Sequence, residues 1–183
     1  MICIIDYGLG NVGSIGNMLK RIGVEVIISS DLEVIDLADK IIIPGVGAFD
    51  EGMKLLSSCG LDVFLRIQAF EKNKPILGIC LGMQLMTRGS EEGECPGLGW
   101  IAADTIHFNR QILENGHRIP HMGWNHVKAT QWPEAFPVLE DDSRFYFVHS
   151  YHVVCDDDSD TLTQTTHGNE FTSGFRRDNV IGI

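Results

Sequence analysis

The sequence predicts an α/β fold: a mainly parallel open sheet with helices on both faces, extended by antiparallel strands in the second half of the chain. Up to residue 87, short apolar strands alternate with helical segments, which is typical of a parallel sheet. From residue 100 onward, alternating strand-like segments follow one another with short turns, which is typical of antiparallel pairing. The 183 residues suffice for a substantial core, so we expect one domain over residues 1–183.

The elements follow in order along the chain. Apolar periodicity predicts strands over 2–6, 24–28, 40–43 and 76–79. The first predicted helix ends at residue 22, and four more are predicted over 31–39, 49–58, 61–72 and 81–87. The helices over 49–58 and 61–72 are separated by a break at Cys59 and Gly60. In the second half, strands are predicted over 100–108, 118–128, 144–155, 161–167 and 170–176, with a proline-bounded connection over 132–139.

The first strand is followed by a glycine-rich turn with two interpretations. Gly8, Gly10 and Gly13 form a Gly-x-Gly-x-x-Gly pattern between a strand and a helix, and Asp31 follows the second strand. This spacing is typical of a dinucleotide-binding fingerprint. The alternative is an ordinary β-to-α turn, with Asn11 and Asp31 capping the two helices that follow. We favour the turn, because a lone Gly-x-Gly-x-x-Gly is a weak signal.

The strongest chemical signal is Gly78-Ile79-Cys80-Leu81-Gly82-Met83-Gln84, at the junction of the fourth strand and the helix after it. A nucleophile between two glycines at a strand-to-helix turn is the nucleophile elbow, here with Cys80 in place of serine. We expect a strained Cys80 backbone, glycines that prevent collisions across the turn, and an oxyanion donor in the Leu81 amide. We also expect the adjacent helix N-terminus to favour the thiolate.

A second glycine-containing loop follows the third strand, at the same predicted edge of the sheet. Pro44-Gly45-Val46-Gly47-Ala48-Phe49 can turn backbone N–H groups inward toward a ligand. Ligands of open α/β sheets bind at the carboxyl ends of the strands. The alternative is a simple turn into the helix that begins near Phe49.

Composition excludes several classes of function. The net charge of −11 and the pI near 4.9 argue against nucleic-acid binding. No apolar run approaches a membrane span, and no secretory signal is visible, so we expect a cytoplasmic protein without a membrane partner. The five scattered cysteines and seven histidines show no metal-ligand spacing, so we expect no disulfide framework, metal or cofactor. We expect His149 to be a buried, hydrogen-bonded strand histidine.

Four segments occur together in order: 44–49, 78–84, 120–125 and 146–151. Together they resemble the class I glutamine amidotransferases, of flavodoxin-like fold, over essentially the whole chain. The elbow is specific to that superfamily. Pro-His-Met-Gly-Trp-Asn at 120–125 resembles the group of glutaminase subunits of imidazole glycerol phosphate synthase.

The resemblance implies a reaction and roles for individual residues. Glutamine is hydrolysed to glutamate and ammonia through a thioester on Cys80, and the ammonia passes to a synthase (cyclase) subunit in a heterodimer. The resemblance also implies backbone oxyanion donors, a substrate site and a partner interface. The oxyanion donors are Val46, Gly47 and Leu81, and the substrate site is formed by Gly47, Gln84, Ser150 and Tyr151. The partner interface is formed by Pro120, His121, Met122, Gly123, Trp124 and Asn125.

In the family, a strand of the type Gly-Val is followed by Gln-Phe-His-Pro-Glu, which supplies the general base and the residue that orients it. This chain reaches Val180-Ile181-Gly182-Ile183 immediately before that motif, so we expect little or no glutaminase activity from residues 1–183 alone. Four alternatives stay open: ammonia supply for surface-polysaccharide sugars, an inactive binding or regulatory homologue, another elbow-cysteine enzyme, and a dinucleotide-binding protein.

Overall fold

The computed structural model describes residues 1–114, 116–130 and 143–183. The helices are α1 (Val12–Arg21), α2 (Leu32–Asp36), α3 (Phe49–Ser58), α4 (Leu61–Phe70) and α5 (Leu81–Leu85). The strands are β1 (Ile2–Ile5), β2 (Val26–Ser29), β3 (Lys40–Ile43), β4 (Ile76–Gly78), β5 (Ala103–His107), β6 (His121–His126), β7 (Lys128–Ala129), β8 (Arg144–His149), β9 (Tyr151–Cys155), β10 (Thr161–His167), β11 (Asn169–Arg177) and β12 (Val180–Gly182).

The parallel half of the main sheet confirms the predicted fold class. Its strands lie in the order β2-β1-β3-β4-β12, all parallel to one another. Apolar runs such as Ile41-Ile42-Ile43 are buried on both faces, which explains why these strands do not alternate. Because the strands are parallel, the segments after β3 and β4 leave the sheet at one edge.

Antiparallel strands extend this sheet, also as predicted. The order continues from β12 through β11 and β10 to β7, and β9 pairs with both β11 and β5. The predicted strand over 144–155 is instead two strands, because the chain changes sheets at Ser150. β8 pairs with β6 in a separate two-stranded sheet, the β6–β8 ribbon, whereas β9 joins the main sheet. The predicted connection over 132–139 lies outside the described residues.

The glycine-rich turn after β1 agrees with the structural interpretation. Asn11 caps α1 through its side-chain oxygen and the Ser14 amide, at 3.2 Å. Asp31 caps α2 by accepting from the Glu33 amide at 2.8 Å. A Cβ on Gly10 would lie 3.0 Å from the Pro44 side chain, so this glycine allows the turn to pack against the loop after β3.

Candidate active site

The elbow between β4 and α5 has the strained geometry that the sequence predicts. Cys80 has φ 55° and ψ −113°, a backbone conformation that residues other than glycine rarely adopt. A Cβ on Gly78 would lie 2.6 Å from the Gly82 carbonyl oxygen, and a Cβ on Gly82 would lie 1.9 Å from the Ile43 carbonyl oxygen. Both contacts are with backbone, so neither can be relieved by rotating a side chain. The two glycines are therefore steric requirements of the turn.

The Cys80 thiol differs in one respect from the expectation. Cys80 is exposed at the sheet edge, yet desolvation by the surrounding protein raises the pKa of its thiol. The Leu81 amide donates a hydrogen bond to the sulfur and opposes this rise without cancelling it. The expected preference for thiolate is therefore wrong, because desolvation raises the pKa of the thiol more than the Leu81 amide, at the start of a five-residue helix, lowers it. The thiol needs a base before it can act as a nucleophile.

The loop after β3 lies beside the elbow. A Cβ on Gly45 would lie 2.8 Å from the Leu81 side chain, so the two turns are in close contact. The Tyr7 hydroxyl donates to the Pro44 carbonyl oxygen at 2.6 Å and fixes the start of the loop. Gly47 has φ +113°, a conformation that favours glycine. The loop is therefore packed against the elbow at Gly45, and its backbone adopts a conformation at Gly47 that favours glycine.

A carboxylate that the sequence did not identify also reaches this loop. Glu92 accepts a hydrogen bond from the Phe49 amide at 2.9 Å, at the start of α3, where Ala48 offers no side-chain cap. Asp50 accepts in turn from the amides of Glu94 and Cys95. These bonds connect the end of the loop to the segment after α5.

A cavity of about 420 Å³ opens at the thiol. Val46, Cys80, Gln84 and Tyr151 line it, so the structure brings together four of the predicted site residues from three segments. Gly47, Leu81 and Ser150 are neighbours of these residues in sequence but are not among the lining side chains. The opposite wall comes from β8, including Phe147 and His149.

The backbone of Ile183, directly after β12, lies against the nucleophile. Its carbonyl oxygen accepts from the Cys80 amide at 2.7 Å, and its amide donates to the Gly78 carbonyl at 3.0 Å. Ile183 also lines the cavity. A side chain placed a few residues after β12 would thus enter the site beside the thiol.

His149 lines the cavity, but both of its ring nitrogens are engaged. Nδ1 lies 2.8 Å from the Tyr151 carbonyl oxygen, and Nε2 lies 2.8 Å from Nδ1 of His121. Burial lowers the pKa of His149. The prediction of a hydrogen-bonded histidine is confirmed, although His149 is only partly buried, and no free ring nitrogen is left to deprotonate Cys80.

The segment 120–125 divides between two environments. Met122 and Trp124 are 61% and 69% exposed, opposite Val148 and Tyr146 of β8. His121 is only 4% exposed and Asn125 is partly buried, because alternate residues of a strand face opposite sides. Pro120 is exposed before the strand, and Gly123 is partly buried with φ +131°. The expectation that all six residues form a surface is thus wrong for His121.

His121 belongs to a group that the sequence analysis missed, here called the histidine cluster: His117, His121, His149, His152 and His167. His167 stacks on His121 with ring centroids 4.1 Å apart, and His117 packs edge-on against His167. His152 stacks on Phe108, which also contacts His121, His149 and His167. These residues are dispersed over 51 positions of the chain, so no local motif could reveal their contact.

Two further findings concern membranes and metals. None of the described helices has the length and apolar character that a bilayer crossing requires. Within residues 1–114, 116–130 and 143–183, no three His, Cys, Asp or Glu side chains are arranged to hold a metal ion.

Known proteins share their sequence and fold with this chain. A family profile described as glutamine amidotransferase class-I matches residues 3–182. The chain belongs to this family. As a class I glutamine amidotransferase, it is an enzyme of the glutaminase type, and the predicted family and fold are confirmed.

The curated relatives extend over nearly the same length. Imidazole glycerol phosphate synthase subunit HisH 2 of Methanococcus maripaludis is 50% identical over 183 residues, covering 100% of this chain and 89% of its own. The subunit of the same name from Pseudomonas aeruginosa is 46% identical with the same coverage. Subunit HisH of Sulfurimonas denitrificans is 43% identical, covering 100% and 88%.

Solved structures support the fold. One described as a glutamine amidotransferase superposes with a TM-score of 0.75 at 18% identity, covering 100% of this chain and 88% of its own. PurLQS from Thermotoga maritima superposes with a TM-score of 0.66 at 19% identity, covering 100% and 84%.

Proposed function

We propose that this chain is the glutaminase subunit of an imidazole glycerol phosphate synthase. It hydrolyses glutamine to glutamate and ammonia and passes the ammonia to a synthase (cyclase) subunit for histidine biosynthesis. The observation that carries the proposal is the cavity at Cys80, whose walls combine the elbow with Val46, Gln84 and Tyr151. The curated relatives named as HisH subunits, 43 to 50% identical, support the same role.

The reaction begins at the sulfur. The Cys80 thiolate attacks the carboxamide carbon of glutamine, and the oxygen becomes an oxyanion that accepts from the amides of Leu81 and of Val46 or Gly47. Collapse of this intermediate breaks the C–N bond, and the nitrogen takes a proton and leaves as ammonia. Water then hydrolyses the thioester, which releases glutamate and restores the thiol.

A raised pKa of the Cys80 thiol lowers the thiolate fraction near neutral pH, so a general base that accepts the thiol proton favours the attack. The family places that base, a histidine, and its orienting glutamate directly after a strand of the β12 type. Ile183 is hydrogen-bonded to Gly78 and Cys80, so a segment continuing from β12 begins at the thiol. A histidine of the family type that followed β12 would therefore lie beside the Cys80 thiol.

The substrate and the partner meet at the β6–β8 ribbon, because β8 both lines the cavity and carries exposed apolar side chains. Gly47, Gln84, Ser150 and Tyr151 hold the amino-acid end of glutamine within the cavity. Met122, Trp124, Tyr146 and Val148 form an exposed apolar surface, which suits a partner interface. Because Tyr146 and Val148 also line the cavity, ammonia released at Cys80 has a route along β8 toward that interface.

The nucleophile is tested by replacement and by labelling. In the full-length gene product with its synthase bound, Cys80→Ala should abolish glutamate release. Cys59→Ala, at an exposed cysteine at the C-terminal end of α3, should not. A glutamine-like electrophile, 6-diazo-5-oxonorleucine, should label Cys80. Labelling of another residue would refute the assignment.

The base is tested by chain length. A chain ending at Ile183 and one continued through the Gln-Phe-His-Pro-Glu segment are compared for glutamate release. We expect activity only in the longer chain, and equal activity would show that another residue is the base.

The interface is tested by binding. Trp124→Ala should weaken co-purification with the cyclase subunit of imidazole glycerol phosphate synthase. Val63→Ala is the matched control, since Val63 on α4 is similarly exposed at 64%. Equal retention of both variants would place the interface elsewhere.

A further inference from the structure

A chain of hydrogen bonds leads from β6 to the backbone at the Cys80 cavity. Asn125 Nδ2 lies 3.1 Å from His121 Nε2, and His121 Nδ1 lies 2.8 Å from His149 Nε2. His149 Nδ1 lies 2.8 Å from the Tyr151 carbonyl oxygen. The chain thus connects three side chains and ends at a residue that lines the cavity.

The direction of every bond follows from its two ends. A carbonyl oxygen can only accept, so Nδ1 of His149 carries a proton, and Nε2 of the neutral ring must accept from His121. Nε2 of His121 then accepts from the Asn125 amide nitrogen. The orientation of that amide is fixed independently: its nitrogen also donates to the Thr166 carbonyl at 2.8 Å, and its oxygen accepts from the His126 amide.

Packing keeps both rings in place and uncharged. His121 stacks between Phe147 and His167, at centroid distances of 4.8 and 4.1 Å. Burial and the neighbouring histidines lower the pKa of His121 to about 4, and burial lowers the pKa of His149. Because neither ring is protonated near neutral pH, each retains one tautomer.

We propose that His121 is a positioning residue for the glutamine site, acting through the tautomer of His149 on the backbone at Ser150 and Tyr151. This rests on the proposed function, in which those two residues hold the amino-acid end of the substrate. The chain passes from the β6–β8 ribbon to the main sheet at Ser150, so its backbone there is not held by a continuous ladder. The Ser150 carbonyl accepts from the Phe108 amide at 3.0 Å, and the Tyr151 carbonyl is held by His149.

Removal of the His121 donor changes what His149 can do. Its Nε2 then has no donor, and the proton can move to Nε2, which leaves Nδ1 as an acceptor facing a carbonyl oxygen. Two acceptors repel, so the Tyr151 peptide loses its hydrogen bond and its fixed orientation. The thiol, the elbow and the oxyanion donors are not in this chain of bonds. The cost should therefore fall on substrate binding more than on bond breaking.

The test uses the full-length gene product with its synthase bound and two variants at one position. His121→Phe retains a stacking ring and removes both nitrogens, whereas His121→Asn retains a donor near the position of Nδ1. We expect His121→Phe to raise KM for glutamine about tenfold with kcat changed less than about twofold, as loss of one buried hydrogen bond implies. His121→Asn should recover part of this loss.

Labelling separates positioning from thiol reactivity. In His121→Phe, the labelling rate of Cys80 by 6-diazo-5-oxonorleucine should fall about as much as kcat/KM, whereas the rate with iodoacetamide, which has no amino-acid end, should be unchanged. The ¹⁵N spectrum of the imidazole nitrogens should show that His149 no longer carries its proton only on Nδ1. This readout does not depend on activity.

The outcomes distinguish this inference from the proposed function. If wild-type protein releases no glutamate and Cys80 is not labelled, the proposed function fails. If wild-type protein is active and His121→Phe has a wild-type KM, the positioning role is refuted. A fall in kcat alone with a displaced pH profile would instead indicate proton transfer and would also refute it.

Discussion

The elbow and two members of the histidine cluster, His149 and His152, line the same cavity, but different forces hold the elbow and the cluster. The elbow is fixed by backbone contacts within a few residues and with β3, where a single added carbon collides. The cluster is fixed by side-chain stacking and hydrogen bonds between segments far apart in sequence. The stability of the elbow should therefore fall sharply when any atom is added. The stability of the cluster, a hydrogen-bonded network of titratable groups, should vary with pH and with conservative substitution.

The largest effect should follow from a single methyl group in the elbow. Gly82→Ala places a Cβ 1.9 Å from the Ile43 carbonyl oxygen, so β3 or the elbow must move. We expect a loss of more than about 3 kcal/mol in the free energy of unfolding, or failure to fold. Urea denaturation of purified protein measures the loss.

Gly13→Ala is the matched control, because a Cβ at Gly13, inside α1, has no atom within 4 Å. That change should stabilise the protein by about 1 kcal/mol, as alanine does in helices. Similar losses for the two variants would show that the elbow has no special steric requirement.

The histidine cluster should produce the next largest effect, as a pH dependence of stability. Burial, together with the neighbouring His167, His149 and His117, holds the pKa of His121 at about 4, below the value of about 6.5 in the unfolded chain. The unfolded state therefore binds more protons between these values. Stability is highest above pH 6.5 and is lost as pH falls toward 4, by about 2 to 3 kcal/mol for this residue.

This dependence is measured by denaturation from pH 7.5 to 4. Many carboxylates also titrate at the acid end, so the quantity of interest is the difference between wild-type protein and His121→Phe. The variant should be the less stable at pH 7.5, and the difference should shrink or reverse by pH 4. Parallel curves for wild-type protein and His121→Phe would contradict the assignment.

The comparison also explains what the sequence could predict. The elbow, the loop after β3 and the caps at Asn11 and Asp31 are local, because their residue types and spacing follow from backbone geometry alone. The inward orientation of His121 depends on the register of β6 with β8 and on the change of sheet at Ser150. Neither is encoded in neighbouring residues, so the sequence alone could not separate the inward from the outward residues of 120–125.

A smaller effect is expected at the elbow, in the pH dependence of Cys80 reactivity. An activated elbow cysteine would react as a thiolate near neutral pH, but desolvation raises the pKa of Cys80. Alkylation of Cys80 by iodoacetamide should therefore still increase above about pH 8.5, the ordinary pKa of a cysteine thiol. Half-maximal reactivity below pH 8 would show that the Leu81 amide and α5 outweigh desolvation.

The smallest effect isolates the backbone strain. Cys80→Gly and Cys80→Ala both remove the nucleophile, but only glycine adopts φ 55° and ψ −113° without strain. We expect the glycine variant to be more stable than the alanine variant by about 1 kcal/mol in urea denaturation. At Cys59, where φ is −94°, the same pair should reverse its order, because glycine there only adds freedom to the unfolded chain. The same order at both positions would mean that Cys80 is not strained, and the elbow would then be held by packing, as the histidine cluster is.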